Sequence, residues 1–581
     1  MSHCPENVPS RARGKTKLWI WAAFGMVLLL YVLSVVRAKP VANFGVFVDD
    51  GLYFSSGKAL AAGQGYILPD FPSHLPSIKY PELYPLLLAG VWKLDSQLSE
   101  NVPLALGTTV IFGCLALLVT FLMLRRWPVL GDWPALAIVF LVSSFGTFLN
   151  RSAVIGSDIP FMAFLLGGTW LVERSLEREP GTMDAAGAGL LVGMAVGLRS
   201  MGIPAAAGIG LLLLCKRKFR RLFSFCLTGL PLTLLWSWPA VSAILGISQP
   251  AVTRDATRSG WTQTVCYYSS YACAWKMHLP DSVTIWKTIL LNLQLIAAEP
   301  GVYLLHPLAL QSVTMFAILV LLLGAAAYVG IVRQVYREGW RPLHAILPLY
   351  LLTIVAYPYS PDRFLLPFAP LFFVGIWLEG QRLAGFLAGP LTRAGNKSER
   401  LAAGILVLGG LAVVTSVAVN LLYSLPKKIE AKAREHEAIL SDEQGAFAWL
   451  RQHAAPNAAI VALEDGLTYL HTGRKAILPI ACVSKTYYLT DPRYIHHDIA
   501  HLADVARHIH ASFWLSTPYD YPLQPPAEQA LLLRKQEKLL AAAPVVYRSM
   551  DRRVVLYDTR CLWRAKGDGC APPHAGQKAG P

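Results

Sequence analysis

The sequence predicts a polytopic α-helical membrane protein with a C-terminal α/β domain outside the membrane, and three observations carry that prediction. Only 15% of the 581 residues are charged and 54% are hydrophobic, where an ordinary soluble domain is about 25% charged. The apolar residues are gathered into runs such as Leu18 to Val36, Leu104 to Leu124, Leu222 to Leu245 and Leu308 to Val332. Each is near the roughly 20 residues a helix needs to cross a hydrocarbon core of about 30 Å. The formal net charge of +16 sits at the ends of these runs and not on one amphipathic face. That is the positive-inside pattern of a membrane protein, and it argues against a nucleic-acid surface.

Residues 1–17 read as a cytoplasmic tail, because Arg11, Arg13, Lys15 and Lys17 precede the first run. That run is too long for the core of a signal peptide and lacks a small-residue cleavage site, so it is expected to stay as an anchor. The membrane domain is expected over 18–425, with extracytoplasmic loops at 38–102 and 246–306. Between Ala185 and Leu214 the apolar sequence is interrupted by Gly197, Arg199, Gly202 and Pro204, with basic clusters before and after it. One helix would separate those clusters across the membrane, so two short helices with Arg199 at the outer turn are predicted. Eleven spans result, the last over Leu401 to Leu422, and the C-terminal domain then lies outside.

The long first loop contains Glu82 to Leu94, apolar but too short to span, which is expected to lie in the interface. From Pro426 charge becomes frequent, and 426–563 reads as a soluble domain. Phe447 to His453 and Ala527 to Ala542 look helical there, Ala459 to Leu463 and Ala511 to Leu515 look like strands, and Val545 to Tyr557 looks like a closing hairpin. Residues 564–581, rich in Gly, Pro and Lys, are expected to be disordered. The nine cysteines form no CxxC motif. Cys266 with Cys273, and Cys561 with Cys570, are candidate disulfides. Seven helical residues would hold the first pair about 10 Å apart, so bridging requires a turn between them.

Chemistry-bearing residues gather on the outer side. Asp49 and Asp50 follow the first span and open a helical stretch reaching Ala62; they read either as a helix cap or as a general base with a neighbour. Asp158, in a short outer turn before Pro160, reads as a cap or as a second carboxylate converging with Asp49. Lys79, Arg199 and Arg363 read as snorkelling side chains or ion pairs, such as Arg363 with Asp362, or as ligands of a phosphate. His306 is either structural or a contact for phosphate or sugar. The aromatic group Trp261, Tyr267, Tyr268, Tyr271 and Trp275 suits a stacked sugar or an interfacial belt.

Taken together these segments resemble the GT-C superfamily of polyprenyl-phosphate-sugar-dependent glycosyltransferases, in the branch of protein O-mannosyltransferases and lipid A aminoarabinose transferases. The elements that carry the resemblance are Asp49-Asp50-Gly51-Leu52-Tyr53, Lys79-Tyr80-Pro81-Glu82-Leu83-Tyr84-Pro85, Ser157-Asp158-Ile159-Pro160, Gly197-Leu198-Arg199, Arg363-Phe364-Leu365-Leu366-Pro367 and Tyr469-Leu470-His471-Thr472-Gly473-Arg474. The family's Asp-Glu pair is Asp-Asp here, and Ile78 stands where the family carries an acidic residue before the lysine.

The resemblance implies inverting transfer of a sugar from a polyprenyl-phosphate donor to an envelope acceptor hydroxyl on lipid, glycan or protein. Asp49 is then the base, beside Asp50 and Asp158. Lys79, Arg199 and Arg363 hold the donor phosphate, and Tyr53 and His306 contact sugar or acceptor. It implies no metal and no cofactor, the lipid-linked sugar being a substrate, and a multi-pass location in a bacterial inner membrane with the C-terminal domain periplasmic. A secondary transporter and an envelope assembly scaffold are the competing readings. Neither accounts for carboxylates and cations converging on one face beside a soluble domain.

Overall fold

The computed structural model describes residues 10–563 except 46–47, 74, 245–258, 270, 280, 306–312, 394–403, 405–414, 416–418, 420–422, 424, 483–487, 490–491, 519 and 522–523. His306, Cys570, the tail 564–581 and nearly all of the predicted span at 401–422 therefore lie outside the described residues.

The N-terminal two thirds is helical: α1 (Ser10–Arg37), α2 (Val48–Ala61), α3 (Leu83–Leu94), α4 (Leu98–Leu124), α5 (Asp132–Ser144), α6 (Gly146–Ser152), α7 (Asp158–Glu177), α8 (Thr182–Leu198), α9 (Gly202–Cys215), α10 (Phe219–Ile244), α11 (Gly260–Ser269), α12 (Tyr271–His278), α13 (Ser282–Leu305), α14 (Val313–Glu338), α15 (Pro342–Ile354) and α16 (Ala369–Arg393). Five of the described helices, α1, α4, α10, α13 and α14, contain stretches long and apolar enough to cross a membrane. The pair α5 and α6, bent by 61° at a short break, adds a sixth. Helices α8, α9 and α15 are apolar but shorter, and α7 carries Asp158 at its first turn and Arg174 at its last.

The predicted helix hairpin around Arg199 is present as α8 and α9. The second outer segment, expected as a loop over 246–306, is helical where it is described: α11, α12 and α13. Its second half is α13, 24 residues of span length. Asn292, Gln294, Glu299 and Pro300 interrupt its apolar pattern and disguise it in the sequence. Helices pack closely where side chains are absent: Gly330 of α14 and Gly375 of α16 meet backbone to backbone, the small-residue contact that lets membrane helices approach.

The C-terminal domain follows from α17 (Leu425–His453). Its five-stranded sheet has the order β4-β3-β5-β7-β6, with β3 (Ala459–Val461), β4 (Lys475–Ile477), β5 (Phe513–Ser516), β6 (Val545–Arg548) and β7 (Val555–Asp558); β1 (Ile67–Leu68) and β2 (Leu75–Pro76) form a separate two-stranded ribbon in the first loop. β3 runs parallel to β4 and β5, while β7 is antiparallel to β5 and β6. The helix ending at His453, the two predicted strands, the closing hairpin and a helix at Pro526–Leu540 are all present. Strand β4 and the helix α18 (Asp465–Thr472), which precedes it, gave no clear pattern in the sequence because each spans only one to two turns or three residues.

This domain sits against the first loop. Arg37 and Lys39 at the end of α1 pair with Glu430 and Glu437 of α17, Lys475 donates to the Phe71 carbonyl at 3.0 Å, and α18 packs on α2.

Candidate active site

Six separate stretches of sequence converge on one cavity of about 270 Å³, lined among others by Asp49, Asp50, Tyr53, Arg151, Asp158 and Arg199. Tyr80, Tyr271, Trp275, Tyr357, Arg363 and Phe364 complete its aromatic and cationic wall.

Asp49 and Asp50 occupy the first turn of α2, where the helix dipole favours negative charge. Their side chains diverge. Asp50 is 1% exposed and turns back into the loop, its carboxylate accepting the amides of Gly51 at 2.7 Å and Gly45 at 3.1 Å. Burial pushes its carboxyl well above the usual range, and those amides only partly offset the effect. Asp49 keeps 27% of its side chain exposed. Its Oδ1 accepts the Tyr80 hydroxyl at 2.7 Å and its Oδ2 faces Nη1 of Arg363 at 3.3 Å. Burial works to raise its carboxyl, but the charges of Arg363 and Lys79 and the Tyr80 hydroxyl outweigh that and hold it below the ordinary value.

Asp158 opens α7 after the Gly156-Ser157 turn and pairs with Arg199, which stands in the break between α8 and α9 with extended backbone. Tyr53 ties the two carboxylate-bearing segments together: its hydroxyl lies 3.4 Å from Ser157 Oγ. Arg363 sits in a 3-10 turn at Asp362–Phe364, between Pro361 and Pro367. An ion pair with Asp362 was one of the alternatives for Arg363; the carboxylate it pairs with is that of Asp49. The convergence of Asp49 with Asp158, expected from topology, is thus present, each carboxylate carrying a guanidinium.

Lys79 departs from its expected place. It is 5% exposed and lies against ring faces, with Nζ 3.5 Å from the Tyr267 centroid and 5.1 Å from that of Tyr80, and it is not among the lining residues. Burial draws its ammonium down to about 7, with Asp49 acting against that and Arg363 with it. His278, fully buried, shares a 2.7 Å hydrogen bond with Tyr359 and is drawn down to about 3 by burial and by Lys79.

Arg151 was not singled out from sequence. It ends the short helix α6, and the bend between α5 and α6 brings it to the cavity wall. An arginine at the outer end of a span reads as a boundary marker; its only sequence signal is its spacing seven residues before Asp158. Of the aromatic group, Tyr271 and Trp275 line the cavity, while Trp261 stacks on His508 at 4.1 Å. Cys266 and Cys273 form a disulfide with Cα atoms 5.3 Å apart, well short of the roughly 10 Å that a continuous helix would impose, so the chain turns between them. Cys561 is disulfide-bonded. The Tyr469 to Arg474 element is a helix terminus: Gly473 adopts φ 71°, and Arg474 donates to the carbonyls of Arg451 at 3.1 Å and Ala454 at 2.9 Å. Among the described residues no group of three or more His, Cys, Asp or Glu is placed to hold a metal ion.

Residues 80–296 match Glycosyltransferase family 87. Over nearly its whole length the chain has the fold of ArnT from Cupriavidus metallidurans. The form bound to undecaprenyl phosphate aligns with TM-score 0.52 and 14% identity, covering 93% of this chain and 97% of that one. The apo form aligns with TM-score 0.51 and 15% identity, covering 92% and 98%. The apo oligosaccharyltransferase of Archaeoglobus fulgidus aligns with TM-score 0.50 and 14% identity, covering 91% and 74%. No curated protein matches the sequence.

Proposed function

We propose that this chain, a membrane glycosyltransferase with a GT-C-like structure, transfers a sugar from a polyprenyl-phosphate donor to an acceptor hydroxyl at the outer face of a bacterial inner membrane. The observation that carries the reading is the placement of Asp49. It is a partly exposed carboxylate held ionised, on the wall of a cavity that also presents three guanidinium groups.

In this reading the donor phosphate meets Arg363 and Arg151, whose planar donors suit phosphate oxygens. Arg199 remains with Asp158 and orients that corner of the site. The acceptor oxygen attacks the anomeric carbon from the face opposite the phosphate. The C–O bond to phosphate breaks, and its electron pair leaves with the polyprenyl phosphate. The acceptor proton passes to a carboxylate oxygen of Asp49. Tyr80 and Arg363 hold Asp49 in place, each of its oxygens keeping a lone pair for the incoming hydroxyl. One displacement inverts the anomeric centre, and charge growing on the phosphate is met by fixed cations. Tyr53, Tyr271 and Trp275 provide ring faces for the sugar.

The C-terminal domain touches α2 directly, which supports placing it on the same side of the membrane as Asp49. The test is sugar release from a polyprenyl-phosphate donor by purified protein in nanodiscs. Turnover that disappears in Asp49→Asn while the donor still binds supports the proposal; a wild-type protein that neither binds nor cleaves such donors overturns it.

A further inference from the structure

The first two residues of α18, Asp465 and Gly466, lie between two segments that line the cavity. On one side, Gly466 meets Gly51 of α2 so closely that a Cβ on Gly466 would stand 2.6 Å from the Gly51 carbonyl carbon. A Cβ on Gly51 would stand 3.2 Å from the Leu467 amide nitrogen. Leu467 in turn packs under Gly45, whose φ of 97° suits only glycine. Gly45 and Gly51 are the residues whose amides Asp50 holds.

On the other side, Asp465 accepts the hydroxyl of Tyr268. Tyr268 belongs to α11, one residue past the ring on which Lys79 rests and two past the disulfide that joins α11 to α12. Tyr271 and Trp275 of the disulfide-joined α12 line the cavity. Gln263 of α11 also reaches this domain, donating to the Ala481 carbonyl at 2.6 Å.

We infer that Asp465 and Gly466 are positioning residues for the transfer reaction, the C-terminal domain being the seat that fixes Asp49 relative to the aromatic wall. The inference rests on the proposed role of Asp49. Gly466 acts through Gly51, two residues from Asp49, and Asp465 acts through Tyr268. Neither touches the cavity, so neither contributes to holding the phosphate. A change at either is therefore expected to lower turnover while leaving donor binding in place, since Arg151 and Arg363 come from other elements.

The experiment uses the full chain in nanodiscs and compares Gly466→Ala, Tyr268→Phe and wild type. Gly466→Ala is expected to lower kcat at least tenfold and Tyr268→Phe several-fold. Donor KM stays close to wild type, and both variants remain folded at the assay temperature, with a lower melting temperature expected for Gly466→Ala. Hydrogen exchange across 48–61 reads the same coupling without turnover: loss of α2 protection in Gly466→Ala is expected. Unchanged α2 exchange in a folded Gly466→Ala protein overturns the inference. So does a kcat within twofold of wild type in both variants, or a kcat loss matched by equal losses of affinity and stability. Should Gly466→Ala fail to fold, Tyr268→Phe decides by kcat and by exchange over 260–278. A wild type that binds no polyprenyl phosphate and cleaves no donor overturns the functional reading alone, because the exchange comparison still decides the seat.

Discussion

Asp49 and Asp50 are chemically identical neighbours that the fold sends to different tasks. Asp50 spends its oxygens on two backbone amides inside the loop, whereas Asp49 faces the cavity with a cation and a phenol beside it. Asp49→Asn is expected to keep fold and donor binding and to lose at least about 10²-fold in turnover, the scale of a removed general base. Asp50→Asn should cost mainly stability, read as a lower melting temperature with a much smaller loss of turnover. Arg363→Ala should cost about 2–4 kcal/mol of transition-state stabilisation, and Arg363→Lys should restore only part of it. Lys79 adds a pH signature. Its ammonium, drawn down to about 7, is charged below that pH and neutral above it, so the positive charge it places behind Asp49 and the cavity wall is lost as pH rises through about 7. Asp49, held below the ordinary carboxylate value, stays ionised across that window. A fall in kcat/KM above about pH 7 that is absent in Lys79→Met, measured over a pH series, is the expected outcome. At this scale the sequence disclosed the acidic pair, Asp158, Arg199 and Arg363, because charges flanked by apolar sequence need a reason to be there. Arg151 stayed hidden because a span-end arginine has an ordinary explanation, and only the bend before it gives it another.

At the scale of elements, breaks in helices do more than the helices themselves. The bend between α5 and α6 carries Arg151 inward, the α8–α9 break presents Arg199, and a turn of the chain between Cys266 and Cys273 lets the two join. Gly197, Gly202 and Pro204 made the second of these legible, and the seven-residue cysteine spacing made the third a conditional reading. The first has no proline, and its short apolar stretches look like one span. Replacing both cysteines by serine is expected to cost about 2–3 kcal/mol in stability for a loop of this size and to raise donor KM, because Tyr271 and Trp275 lie on the stapled element. Thermal melting and steady-state kinetics of the double variant check both. Helix α13 was missed for a related reason: polar residues that bond to neighbours inside the fold, as Asn292 does to the carbonyls at Ile354, Val355 and Tyr357, look from sequence like a solvent-exposed face.

At the scale of the whole molecule, the apolar runs announced a membrane protein and the shift in composition near Pro426 announced the second domain, but no local pattern announces how the two halves meet. That contact depends on three glycines and on pairs drawn from distant parts of the chain, which only the folded molecule brings together. It also bears on topology independently of any count of spans. A reporter fused after Trp563 is expected to be active only in an oxidising external compartment, as is one inserted at Gly63 in the first loop; opposite outcomes for the two would contradict the docking of α18 on α2. The same contact orders events during biogenesis. Helix α2 is among the first segments to leave the ribosome and α18 among the last, so a nascent chain can have its early spans in the bilayer long before its acidic pair has anything to rest on. On the proposed function, incomplete chains would sit in the membrane as bystanders to the lipid-linked sugar pool, and consumption of that pool would begin only with release of a finished protein.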